Sequence, residues 1–197
     1  MQRQLFDLLE IASGTQQSMP SGMIVPIASS LRDVAAQLLP AGPVYVGISP
    51  GAGGPQKCWP LEKFIELAKA QVMKDRVPVF ILGPAEAGWD FKIRAEVPRA
   101  KFPLQDNEVG VRHGFAPELT IALANRAAVC VANDSGTGHM CAISGAPMVS
   151  LFGRTTPDKF MPMASRIVLV RAQDFGGREM NLIPLEAVAK AVDEMLA

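Results

Sequence analysis

Six residues, Asp134-Ser135-Gly136-Thr137-Gly138-His139, combine a carboxylate, two hydroxyls, an imidazole and two glycines. The glycines expose backbone N–H groups, and Thr137 and His139 add side-chain donors. Set where a strand gives way to a helix, such a run suits a diphosphate or a sugar with several hydroxyls. Helix starts leave N–H groups unpaired and turn the positive end of the dipole outward. The plainer reading is a capped helix start with a buried histidine, although a cap needs only one Asp or Ser.

A second candidate is PGAGGPQKCWP, residues 50–60. Gly51, Gly53 and Gly54 let the backbone approach a ligand, and Lys57 can reach a phosphate. Two phosphate motifs are excluded. The sixth position of GxGxxG falls on Gln56, and Cys58 stands where a Walker A loop has Ser or Thr. Spacing alone leaves phosphate binding and a plain glycine turn equally open. Trp59-Pro60 reads as a helix start with its ring packed down rather than as a stacking platform. Glu86, in a turn at residues 83–86, is either a helix-dipole carboxylate or an acceptor for ribose hydroxyls. His113, in a polar loop, reads as exposed.

These loops need strands and helices to hold them. Apolar runs at residues 44–49, 77–82, 128–132, 147–152 and 167–170 read as strands, the first of them apolar on both faces as buried parallel strands are. Residues 101–103 read as a further short strand. Helical patterns cover 30–39, 61–74, 88–97, 117–126 and 184–196, with a short helix expected over 140–144. An amphipathic pattern at residues 4–11 is followed by a turn-rich linker at 14–22. Strands alternating with helices predict an α/β fold, a Rossmann-like doubly wound parallel sheet. The loops at 50–57, 83–86, 134–139 and 153–158 then share one edge of that sheet, where ligands bind in such folds.

Composition narrows the class. With 197 residues, 49% of them hydrophobic, the chain has enough apolar surface for one ordinary core. Zero formal net charge and the lack of a basic run argue against a nucleic-acid partner. No apolar stretch nears the ~18 residues of a membrane span. The N-terminus is a poor signal peptide. Three cysteines in no metal spacing predict reduced thiols in a cytoplasmic protein, with Cys130 and Cys141 inside. No Asp-x-Asp occurs, so no built-in metal site for a diphosphate is expected; no cofactor is expected either.

SPGAGGPQKCWP, LGPAE and NDSGTGHMCAISGAPMVSLFGRTTP, in that order, resemble the C-terminal half of the ADP-heptose:lipopolysaccharide heptosyltransferases. That family pairs a PG-rich loop ending in Lys-x-Trp-Pro with a G-x-x-x-E type turn, then Asp-[Ser/Thr]-Gly-x-x-His and Phe-Gly-x-Thr. The resemblance covers residues 44–197 and implies a GT-B glycosyltransferase, with two Rossmann-like domains and a cleft between them. Transfer in the family is inverting, from ADP-heptose to the lipopolysaccharide core.

Carried over, the resemblance puts Ala52 and Gly53 against the diphosphate and makes Lys57 the cation that neutralises it as it leaves. Glu86 binds ribose, and Phe115 packs on adenine. Asp134 takes heptose hydroxyls. Ser135, Gly136, Gly138 and His139 supply donors at the helix start. Residues 43–197 are then the donor-binding domain and 1–42 a connector with helices. The acceptor domain, and with it the family's general base, has no counterpart in the chain. The chain is thus expected to bind a nucleotide sugar but to transfer poorly alone, meeting its acceptor through a missing or separate domain. A non-catalytic nucleotide-sugar-binding module and a transferase for another nucleotide sugar are the alternatives. A dinucleotide-dependent oxidoreductase ranks below both, because the glycine spacing fails. The resemblance also implies work in the cytoplasm or at the face of the inner membrane. The apolar stripes at residues 4–11 and 185–196 offer faces for a homodimer.

Overall fold

The structure, a computed structural model, describes residues 24–106, 108, 111 and 116–197. The expected helix at 4–11, the linker at 14–22, His113 and Phe115 lie outside the described residues.

Five strands form one parallel sheet: β1 (Tyr45–Ser49), β2 (Val77–Phe80), β3 (Val129–Asn133), β4 (Met148–Phe152) and β5 (Ile167–Arg171), in spatial order β2-β1-β3-β4-β5. Val46 lies between Pro78 on one side and Val129 on the other, and Cys130 pairs onward with Met148. β1, β3 and β4 are buried along their whole length, which explains their largely apolar sequences. The expected strand at 101–103 is a single parallel bridge, Val79 to Lys101.

The helices are α1 (Ser29–Leu38), α2 (Leu61–Val72), α3 (Trp89–Glu96), α4 (Pro117–Asn125), α5 (Gly136–Ile143), the single turn α6 (Pro157–Phe160) and α7 (Leu185–Leu196). They cover both faces of the sheet. Val46, Ile48, Val129 and Val131 point into a core with Phe64 and Leu67 of α2, Ile93 of α3 and Val188 and Val192 of α7. Tyr45, Cys130 and Ala132 point the other way, toward Leu119 and Leu123 of α4, Cys141 and Ala142 of α5 and Ala35 of α1. Every residue of α4 from Leu119 to Ala124 is buried. The spacing of Leu119, Leu123 and Ala127 marks one apolar side. The other side is covered by α1, which packs across α4.

Cys130 and Cys141 are free and buried, as composition predicts. A hydrogen bond with Cys141 and burial together hold the Cys130 thiol far above its ordinary value.

Two expectations need correction. First, α5 begins at Gly136, not at 140. Ser135 accepts a hydrogen bond from the Gly138 N–H at 3.1 Å. That cap offsets the poor helix propensity of two glycines. Gly138 is also required by packing, since a Cβ there would stand 2.7 Å from the Asn133 carbonyl. Secondly, the apolar stripe of α7 is no dimer face. Val188, Ala191, Val192 and Met195 are buried in the protein's own core.

The strand order also locates the site. The chain winds outward from β1 to β2, then crosses back and winds the other way through β3, β4 and β5. The winding reverses between β1 and β3. Loops leaving a parallel sheet diverge at that point and open a crevice at the carboxyl ends of the strands.

Candidate functional site

The loop after β1 and the turn after β3 meet at this reversal. Lys57 ends a short 3₁₀ turn, Pro55–Lys57, and its Nζ lies 3.1 Å from Asp134 Oδ2. The Asp134 side chain is only 7% exposed against 32% for Lys57, so the carboxylate faces inward and the ammonium faces the crevice. The Phe160 ring of α6 lies 5.4 Å from the same Nζ. Loops from β1, β3 and β4 thus converge on one cation.

Asp134 is followed at once by α5. The Ser135 hydroxyl takes the Gly138 N–H and the Ser135 carbonyl takes the His139 N–H. Among the described residues the N–H groups of Gly136 and Thr137 have no acceptor, which leaves them as the backbone donors at this helix start. His139 sits half-buried within the first turn of α5 rather than in a loop ahead of it.

Glu86 ends the 3₁₀ turn Pro84–Glu86 after β2. Its Oε2 accepts the Gly83 N–H at 2.7 Å. The carboxylate lies against Gly51 so closely that any Cβ there would collide with it. Glycine at 51 therefore lets the β1 and β2 loops touch. Beside this contact is a pocket of about 640 Å³, lined by Ala52, Gly53, Cys58, Pro60, Glu86 and Trp89 among others. Burial, then the nearby Glu86 charge, pushes the Cys58 thiol up, partly offset by a hydrogen bond from the Ala52 backbone. Cys58 is accordingly a protonated lining group rather than a nucleophile.

Trp59 is packed down as its sequence context foretold. It is buried, lies edge-on to Phe64 at 4.9 Å, and donates from Nε1 to the Ile183 carbonyl at 3.0 Å. The structure therefore brings together Lys57 and Asp134, and separately Glu86 with the loop of Ala52 and Gly53. Phe115 lies outside the described residues.

Three residues near the site escape the sequence reading. Phe160 and Trp89 look like ordinary amphipathic residues. Asn133 looks like a turn former. It is the last residue of β3 and fully buried, with both ends of its amide bonded to the β1 loop.

The glycosyltransferase family 9 (heptosyltransferase) profile matches residues 3–180. The chain belongs to glycosyltransferase family 9. The lipooligosaccharide heptosyltransferase 2 of Haemophilus influenzae is 29% identical over 169 residues, which cover 77% of this family 9 chain and 47% of that protein. Among solved structures, the family 9 glycosyl transferase of Veillonella parvula superposes with a TM-score of 0.79 at 22% identity, covering 96% of this chain and 58% of that one. Escherichia coli heptosyltransferase WaaC with ADP-2-deoxy-2-fluoro heptose gives 0.65 at 18% identity, covering 95% and 53%. At such identities the structural likeness carries the fold, a parallel sheet with helices on both faces. The family 9 chain spans about half the length of the curated relative and of these two solved chains.

Proposed function

We propose that this family 9 chain is the donor-binding half of an inverting glycosyltransferase that takes ADP-heptose or a closely related nucleotide sugar. The observation that carries the reading is the Lys57–Asp134 pair at the winding reversal, with two unused N–H groups beside it. A cation and a helix start at one point suit a diphosphate. A near-buried carboxylate next to them suits sugar hydroxyls.

Each group has a role in this reading. As the bond to the sugar breaks, negative charge builds on the departing diphosphate. Lys57 and the Gly136 and Thr137 N–H groups stabilise that charge where it develops. Ala52 and Gly53 approach the diphosphate through their backbone. Glu86 receives ribose hydroxyls, and Phe115 covers the base. Asp134 accepts from the sugar, with Ser135, Gly138 and His139 completing that end. No side chain here is assigned as the general base. The base and the acceptor site belong to a second domain, for which a lipopolysaccharide core is the acceptor. Residues 43–197 form the donor domain and 1–42 the connector, with α1 resting on α4. Among the described residues no helix is long and apolar enough to cross a membrane. The proposed workplace is the cytoplasm or the surface of the inner membrane.

Calorimetric titration with ADP and with ADP-heptose tests the reading. Wild type binds both. Lys57→Ala weakens both by about tenfold or more, the scale of one lost charge-assisted contact. Asp134→Ala weakens ADP-heptose and does not weaken ADP. No binding of either ligand at millimolar concentration overturns the reading. Equal loss of both ligands in Asp134→Ala removes the sugar assignment alone.

A further inference from the structure

The β1 loop that carries Lys57 leaves the sheet at Pro50 and rejoins the fold at Trp59. Both ends are held by one side chain. Asn133 Oδ1 accepts the Trp59 N–H at 3.0 Å, and Asn133 Nδ2 donates to the Pro50 carbonyl at 2.7 Å. The amide orientation follows from its partners, since an N–H can meet only the oxygen and a carbonyl only the nitrogen. The other bonds of the loop are mostly internal, such as Lys57 N–H to Gly54 and Cys58 N–H to Pro55. They shape the turn but do not fix its height above the sheet. Trp59 is also anchored through Nε1 to the Ile183 carbonyl, but Asn133 is the side chain that ties both ends of the loop to β3, as the final and fully buried ladder residue of that strand.

Its neighbour in the chain is Asp134. One residue therefore holds the loop bearing the cation, and the next holds the carboxylate that the cation meets. We infer that Asn133 is a positioning residue: its amide sets Lys57 at the diphosphate by fixing both ends of the β1 loop to the strand that carries Asp134. This rests on the donor-binding reading above. Asparagine suits the task where its relatives do not. Aspartate has no donor for the Pro50 carbonyl and adds a buried charge. Serine and threonine place their one polar atom closer to the backbone and cannot span two partners.

A role confined to holding the fold together predicts a general loss. A role exercised through Lys57 predicts a loss for diphosphates alone, absent once Lys57 is gone. The experiment is a double-mutant cycle with ADP and adenosine as the probes. Wild type, Asn133→Ala, Lys57→Ala and the double variant are titrated with both. Asn133→Ala lowers ADP affinity about tenfold and leaves adenosine within about twofold. In the Lys57→Ala background the same change leaves ADP within about twofold. If Asn133→Ala does not fold, Asn133→Thr, neutral and suited to a strand end, enters the same cycle. An ADP loss of equal size with and without Lys57, or an equal loss for adenosine, overturns the inference and leaves the donor reading standing. Wild type that binds no ADP overturns the donor reading itself, and this inference with it.

Discussion

In the proposed donor site, Asp134 is the residue whose charge has most to gain or lose from the ligand. Its side chain is 7% exposed and its cationic partner is Lys57 at 3.1 Å. A bound diphosphate competes for that cation and brings negative charge of its own. Sugar hydroxyls relieve the carboxylate, but ADP has no sugar to offer there. In the proposed reading Asp134 thus favours the loaded donor over the spent one, which would help the product leave. Asp134→Asn is expected to tighten ADP at least about fivefold, since a like-charge contact at about 4 Å is worth about 1 kcal/mol even in bulk water. The same variant weakens ADP-heptose. Competition titration of the two ligands reads both signs at once, and weaker ADP binding by Asp134→Asn sinks the idea. At this scale the sequence was informative about residue types but silent about pairings. Lys57 and Asp134 were each legible from a glycine-rich or polar run. That they touch depends on a strand order no local pattern encodes. Asn133 was illegible for the same reason. Its partners lie 74 and 83 positions back along the chain, and Asn ahead of Asp-Ser-Gly looks like any turn.

The elements were the most legible scale. A strand buried on both faces is apolar along most of its length, so β1, β3 and β4 stand out as near-continuous runs. Helix starts were less so. The two glycines of α5 argue against helix by propensity, and only the Ser135 cap and the close packing of Gly138 reverse the balance. The last helix shows how an element is tied in place after its apolar stripe is spent. Asp193 on α7 accepts from Lys74 at 2.5 Å and from Arg76 at 2.6 Å, both in the turn between α2 and β2. Partial burial raises the Asp193 carboxyl, but the hydrogen bonds from Lys74 and Arg76 outweigh it and hold it below its ordinary value. Folding therefore favours the ionised form. The resulting stability is present above the ordinary carboxylate range and fades as pH falls through the lowered value. Asp193→Asn is expected to lower Tm near neutral pH and to lose less further stability than wild type on acidification. Thermal melts from pH 7 down to pH 3 measure this. Parallel curves for the two proteins across that range count against the tie.

Considered as a whole molecule, this family 9 chain gathers its proposed chemistry on one side of a bond. Lys57, the start of α5 and Asp134 lie together at one sheet edge. In the proposed reaction they attend the leaving diphosphate and the donor sugar. An inverting displacement also needs a nucleophile on the opposite face of the sugar, with a base to take its proton. The proposed reading assigns that task to a second domain across the crevice, in keeping with a chain about half as long as its matched curated relative. Positioning of the acceptor is a large part of such a barrier, because held reactants avoid the entropy of a two-body encounter. The chain alone is thus expected to bind ADP-heptose and release ADP slowly, at a rate that added lipopolysaccharide core acceptor does not raise. Coupled detection of ADP with and without acceptor measures it, with Lys57→Ala as the control for release at this site. Acceptor-dependent turnover by the purified chain overturns the division of labour, because the base would then have to be found among the residues present. An acceptor-independent release that Lys57→Ala abolishes supports it, with water reaching a sugar that the proposed second domain would otherwise shield.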